Sequence, residues 1–158
     1  MDRCMSPDFK SEIVGALRDL ISTCIDSQHG YATAALVARS LSLRLMFAAR
    51  AKERGGFVRD LKFQIARLDG VPPEGGSRLG ALHRGWMEAG YAVGSSDTQL
   101  LSECIRGEAA ALRAYERAHP LVSRLVAAQA SAIRGAQSDL AAELARRGVA
   151  APAAQVRS

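Results

Sequence analysis

A chain of 158 residues is long enough to close one hydrophobic core without disulfides or a structural metal, and 48% apolar with 23% charged residues excludes disorder for its body. The alanine-rich and arginine-rich bias favours helix over sheet. The net charge of +5 raises nucleic-acid binding, but the arginines are spread among Asp and Glu along every predicted helix and form no basic block, which argues against that function.

Met1 to Lys10 carries no apolar run followed by a small-residue cleavage site, so no secretory signal is expected and residues 1–7 read as a flexible start. Pro7 and Asp8 then open a periodic segment in which Ile13, Leu17, Leu20, Cys24, Tyr31, Ala35 and Ala38 recur at steps of three and four, predicting helix one over about 8–39. Even its least charged part, Cys24 to Arg39, contains Asp26, and nothing approaches the roughly 20 apolar residues of a membrane span. The cysteines, Cys4, Cys24 and Cys104, are odd in number and too widely spaced for a zinc cluster. A cytoplasmic protein with reduced thiols is the expectation.

After a break near Ser40 and Ser42, the residues Leu43, Phe47, Phe57, Leu61, Ile65 and Leu68 predict helix two over about 41–69, stopped by Gly70 with Pro72 and Pro73 beyond. Residues 70–96 are glycine-rich and read as a long crossover holding one apolar island, Leu79 to Tyr91, as a short helix. Ser95, Ser96 and Asp97 offer caps for helix three, about 97–119, ended by Pro120. Leu121, Val126, Ile133, Leu140 and Leu144 supply the fourth stripe, to Gly148, with 149–158 as a disordered tail. The fold class is therefore all-α, with a four-helix bundle over 8–148. Two antiparallel hairpins joined by one long crossover is the ferritin-like arrangement, because the crossover lets helix three run parallel to helix two.

At about 100° per residue, four polar side chains fall inside the apolar stripes. Gln28 lies between Cys24 and Tyr31, Arg54 lies seven residues from both Phe47 and Leu61, Glu108 lies seven from both Leu101 and Tyr115, and Gln129 lies four before Ile133. Asp26 points nearly opposite to Gln28. All four lie away from helix ends and should share one level as a core polar layer. One carboxylate, one guanidinium and amides suit a buried Arg54–Glu108 ion pair that fixes helix register. The competing functional reading is an atypical metal or small-ligand site on Glu108 and the amide oxygens. Glu116 and His119 form the chain's Glu-x-x-His spacing, which with Glu108 makes the candidate metal set, iron or another divalent ion; at a helix end, His119 reads more readily as a partner of terminal carbonyls. His29 reads as solvated, and Cys24 and Cys104 as small core residues. In the crossover, His83, Arg84 and Trp86 are candidate interface residues, since Trp and Arg dominate hot spots.

Several strings together resemble a bacterial family of ferritin-like four-helix-bundle proteins catalogued as a domain of unknown function. They are Cys24, Asp26, Gly30 and Tyr31; Arg54, Phe57 and Leu61; the Leu-His-Arg-Gly-Trp string ending at Trp86, with Gly80 before it; and Glu103, Arg106, Gly107, Glu108 and Tyr115. The resemblance implies the ferritin-like fold and a bacterial cytoplasmic protein, and brings no activity. The chain departs from it at Gly56 and Asp60, where a longer polar residue and Glu are common, and at Ala132 and Gln137, where acidic residues and His are common, which removes candidate ligands. The expectation is a non-enzymatic bundle that needs no cofactor and acts through a homodimer or a protein partner; the alternative is a metal-binding protein, di-iron-type or atypical, centred on Glu108.

Overall fold

The computed structural model describes residues 6–78, 80, 81, 84, 85, 89, 90, 94, 96–118, 120 and 122–152, with 123 and 124 described by backbone alone. Four long helices carry the fold: α1 (Pro7–Val37), α2 (Leu41–Arg67), α3 (Asp97–Ala118) and α4 (Ser123–Arg146), with no strand among the described residues. The chain is a four-helix, all-α bundle. The expected ends 1–7 and 149–158 lie largely outside the described residues, since 1–5 and 153–158 are not among them.

Local chemistry sets the helix ends. Ser6 Oγ accepts from Phe9 N at 3.3 Å and Pro7 occupies the first turn, where a missing N–H costs nothing. The first helix ends at Val37, two residues earlier than its stripe suggests, because Ala38 turns extended and the Asp97 carboxylate takes the next two N–H groups, Arg39 N at 2.9 Å and Ser40 N at 3.0 Å. At the start of α3 the capping is reciprocal: Ser96 Oγ accepts from Gln99 N, and Gln99 Oε1 accepts from Ser96 N at 2.8 Å. The glycine stop after α2 works differently from expectation. Asp69 takes the left-handed conformation (φ 52°), whereas Gly70 is needed for closeness, since a Cβ there would lie 2.9 Å from Ile65 Cγ2 and 3.0 Å from Val14 Cγ1. At the end of α4, Gly148 (φ 76°) closes the helix through Val149 N donating to Leu144 O.

Cross-helix bonds fix the directions. Cys24 meets Tyr115, Tyr31 meets Glu108 and the 39–40 turn meets Asp97, so α3 runs antiparallel to α1. The short turn makes α2 antiparallel to α1 as well, and α3 is consequently parallel to α2, with link 68–96 traversing the bundle from one end to the other. In the link, 78, 80, 81, 84, 85, 89 and 90 are helical. The core falls into two apolar halves. One holds Leu17, Leu20, Ile21, Leu61, Ile65 and Ile133; the other holds Ala34, Leu43, Phe47, Leu101, Leu140 and Leu144.

Candidate functional site

Among the described residues, Arg54 is the largest fully buried side chain, 0% exposed, and it sits where the two apolar halves meet. Its helix places it there because Phe47 and Leu61, one heptad to either side, are themselves fully buried. Arg54 Nη2 donates to Glu108 Oε1 at 2.7 Å, Nη1 donates to Glu53 Oε2 at 3.0 Å, and the guanidinium carbon stands 5.0 Å from the centre of the Phe57 ring. Burial pulls the guanidinium toward neutrality, but Glu108, Tyr31 and Glu53 outweigh it and hold its pKa above the ordinary value. The group stays charged at mid-height in the bundle.

Glu108, 2% exposed, receives a second hydrogen bond on the same oxygen from the Tyr31 hydroxyl. Desolvation, followed by the charge of Glu108, raises the Tyr31 hydroxyl well above its usual value, so it remains a donor. Glu108 Oε2 and Arg54 Nε have no partner among the described residues. A buried acceptor left unmatched costs about 1–3 kcal/mol.

Gln129, also buried, does not join this group. It stands with Tyr115 and Cys24: Tyr115 Oη donates to Gln129 Oε1 at 2.5 Å, which leaves the Cys24 thiol to donate to Tyr115 Oη across 3.0 Å. The single polar level expected from the stripes is thus two adjoining groups, Arg54–Glu108–Tyr31 and Cys24–Tyr115–Gln129. Burial pushes the Cys24 thiol up to about 11, despite the lowering effect of its bond to Tyr115, and Cys24 reads as a proton-bearing donor, not a nucleophile. Gln28 is only half-buried and lies over Gly55, where a Cβ would meet its amide at 2.9 Å. Tyr31 and Tyr115 were readable only as apolar-stripe residues; the signal for their role was that each lies in helical register with a polar residue of its stripe, Tyr31 with the half-buried Gln28 and Tyr115 with the buried Glu108.

The candidate metal set does not converge. Glu116 is exposed and lies eight residues beyond Glu108, about 12 Å along the helix axis, and His119 lies outside the described residues. Among the described residues, no three His, Cys, Asp or Glu side chains come together as a metal would need. His29 is exposed. Of the interface candidates, His83 and Trp86 lie outside the described residues, and Arg84 is half-buried, turned to Asp26 at 3.5 Å. Asp26, placed on a solvated face by periodicity, is instead the anchor of the link: its carboxylate accepts from Ser77 N at 2.9 Å and from Ser77 Oγ at 2.5 Å.

These contacts border a groove of about 560 Å³ between α1 and α3, roofed at one side by Ser77, Gly80 and Arg84. Glu108 and Tyr31 form part of its floor, and Gly30, Gly107, Ala110, Ala111 and Ala114 line its walls. A Cβ added to Gly30 or Gly107 would meet nothing within 4 Å, so both glycines face open space inside helices, where glycine costs about 0.5–1 kcal/mol relative to alanine. Asp26, Gly30, Tyr31, Gly80, Arg84, Glu103, Arg106, Gly107 and Glu108, drawn from three separate strings of the sequence, therefore meet at one depression.

No curated protein and no solved structure matches the chain. Residues 12–120, more than half of its length, match the family described as Domain of unknown function (DUF2383). That span contains every described residue lining the groove and ends before α4. The chain belongs to the DUF2383 family, and the part that defines the membership is the part that builds the groove.

Proposed function

We propose that this chain is a non-enzymatic, ferritin-like bundle of the bacterial cytoplasm that acts by binding in the groove between α1 and α3, not by chemistry in its core. The parallel run of α2 and α3, joined by a bundle-length link, supports the ferritin-like kinship. The observation that carries the functional reading is the fully buried, charged Arg54 bonded to Glu108 at 2.7 Å. A di-iron-type centre needs several carboxylates and imidazoles to offset desolvation of the cations, and a guanidinium at the same level repels them. The residues present do not fit such a centre, so no step of the function is routed through a metal. Iron(II) added under air to protein purified without chelator is expected to give neither stoichiometric binding nor a near-ultraviolet oxo-to-metal band; both appearing together would overturn the reading.

A homodimer is the second reading, favoured by Leu36, Leu41 and Leu45, which flank the α1–α2 turn and are 81%, 70% and 64% exposed. Three such leucines near one turn are more apolar surface than a solvated helix end needs. Light scattering is expected to give twice the chain mass for the wild type and the chain mass for Leu41→Asp/Leu45→Asp. A wild type that scatters as a single chain at high micromolar concentration counts against the dimer.

A further inference from the structure

We infer that two copies of this chain pair through the outer face of α2, with the two α2 helices side by side and pointing the same way. This rests on the homodimer reading above, and supplies its interface and its direction. Leu45 and Phe63 each lie nine residues from the fully buried Arg54, one before it and one after it, and are 64% and 62% exposed. Nine residues are about two and a half turns, so both side chains stand on the side of the helix opposite the core, in line with each other and about 27 Å apart. Leu41, 70% exposed, lies about one turn before Leu45 on the same side. The inner side of α2 already buries Leu43, Phe47, Leu61 and Ile65, and the outer side of a solvated helix is ordinarily polar. Large apolar groups at both ends of that outer line serve no packing within the bundle, which marks the line as a contact surface.

Charge selects the occupant and its direction. Counted at about 100° per residue from the Leu45 to Phe63 line, Arg44, Lys52, Arg59 and Lys62 fall to one side, and Glu53 and Asp60 to the other. Arg67, in the last turn, is the exception on the acidic side. A face with one basic and one acidic flank matches a second copy of itself in only one symmetric arrangement. Rotation by half a turn about an axis along the helix lays the basic flank of each copy against the acidic flank of the other, whereas an antiparallel pair sets basic against basic. In the parallel pair Arg59 meets the partner's Asp60 and Lys52 meets the partner's Glu53, and symmetry makes each contact twice. The members of each pair are neighbours in sequence, so they differ in height by only about 1.5 Å. Lys52, Arg59 and Asp60 make no ion pair among the described residues, and Glu53 engages Arg50 and Arg54 through Oε2 alone. Leu41, Leu45 and Phe63 then each meet their own copy across the axis.

The test is sedimentation equilibrium of the full chain at low salt. The wild type is expected as a reversible dimer, and Phe63→Asp is expected to weaken it at least tenfold. Arg59→Glu and Asp60→Lys are each expected to weaken it at least fivefold, and the double variant Arg59→Glu/Asp60→Lys to restore it, because the reversed flanks still match. Damage to the fold would not be repaired by a second surface change, so the rescue reads the interface itself. Mild oxidation of Phe63→Cys is expected to give a covalent dimer that the wild type, with its own cysteines, does not give; an antiparallel pair holds those two sulfurs about 27 Å apart and leaves them unlinked. A dimer that Phe63→Asp leaves unchanged, a double variant no tighter than either single one, or no covalent dimer from Phe63→Cys would each overturn this interface and leave a dimer through the leucines of the α1–α2 turn. A wild type that sediments as a single chain removes the homodimer reading and this inference together.

Discussion

Arg54→Ala is expected to lower the stability of the bundle by about 3–5 kcal/mol, a large share of what a domain this size has in total. The cause is not the loss of one hydrogen bond. Glu108 would be left at 2% exposure with only the Tyr31 hydroxyl facing it, and desolvation of an unpaired carboxyl group is the dominant cost. The side chain also fills volume against Phe57, so truncation leaves a cavity where the two apolar halves meet. The double replacement Arg54→Met/Glu108→Leu removes both charges while keeping volume, and is expected to fall within about 1 kcal/mol of the wild type. Urea unfolding at unchanged slope reads both. If Arg54→Ala cost less than about 0.5 kcal/mol, the guanidinium would have to be solvated in solution.

Alkali is the second strong perturbation. Cys24 has its thiol raised from 9.0 to about 11 by burial, so the folded state prefers the protonated form more than the unfolded state does. Its contribution is fully present below pH 9 and is lost as pH rises through about 11, because in that window the unfolded chain has released a proton that the folded chain retains. Each such group adds a slope of about 1.4 kcal/mol per pH unit. Tyr31 and Tyr115 are raised as well, first by burial and then by Glu108 and Cys24 respectively, so the loss continues above pH 10. Thermal melts are expected to shift steadily downward from pH 9 to pH 11, and Cys24→Ala is expected to flatten the first part of that fall. A melting temperature constant across the window would mean that these groups are not protonated donors in the folded state.

The helices and the central ion pair were legible because both depend on period. Arg54 lies one heptad from Phe47 and from Leu61, and any straight α-helix turns all three to the same side. Glu108 follows from Leu101 and Tyr115 by the same arithmetic. Gln129 was read at the level of Glu108 because angular position says nothing about height relative to a neighbouring helix; its partner became Tyr115, whose hydroxyl is hidden when a ring is counted as apolar. The groove was not legible at all. Its walls are glycines and alanines, which carry no periodic signal, and its roof depends on Asp26 meeting Ser77, a pairing across 51 residues that helical spacing does not encode. The matched span ends near residue 120, so α4 with Gln129 lies outside what defines the family.

Link 68–96 meets polar groups at successive heights along one helix. Lys10 holds Asp69, Arg18 holds the carbonyl of Val71, Asp26 holds Ser77 and Arg84, and the N–H groups just past the end of α1 hold Asp97. These rungs ascend α1 in the same order in which the link passes them. The route of the connection is therefore inscribed on the first helix, and a foreign link of equal length that keeps Asp69, Ser77, Arg84 and Asp97 inherits that route whatever lies between them.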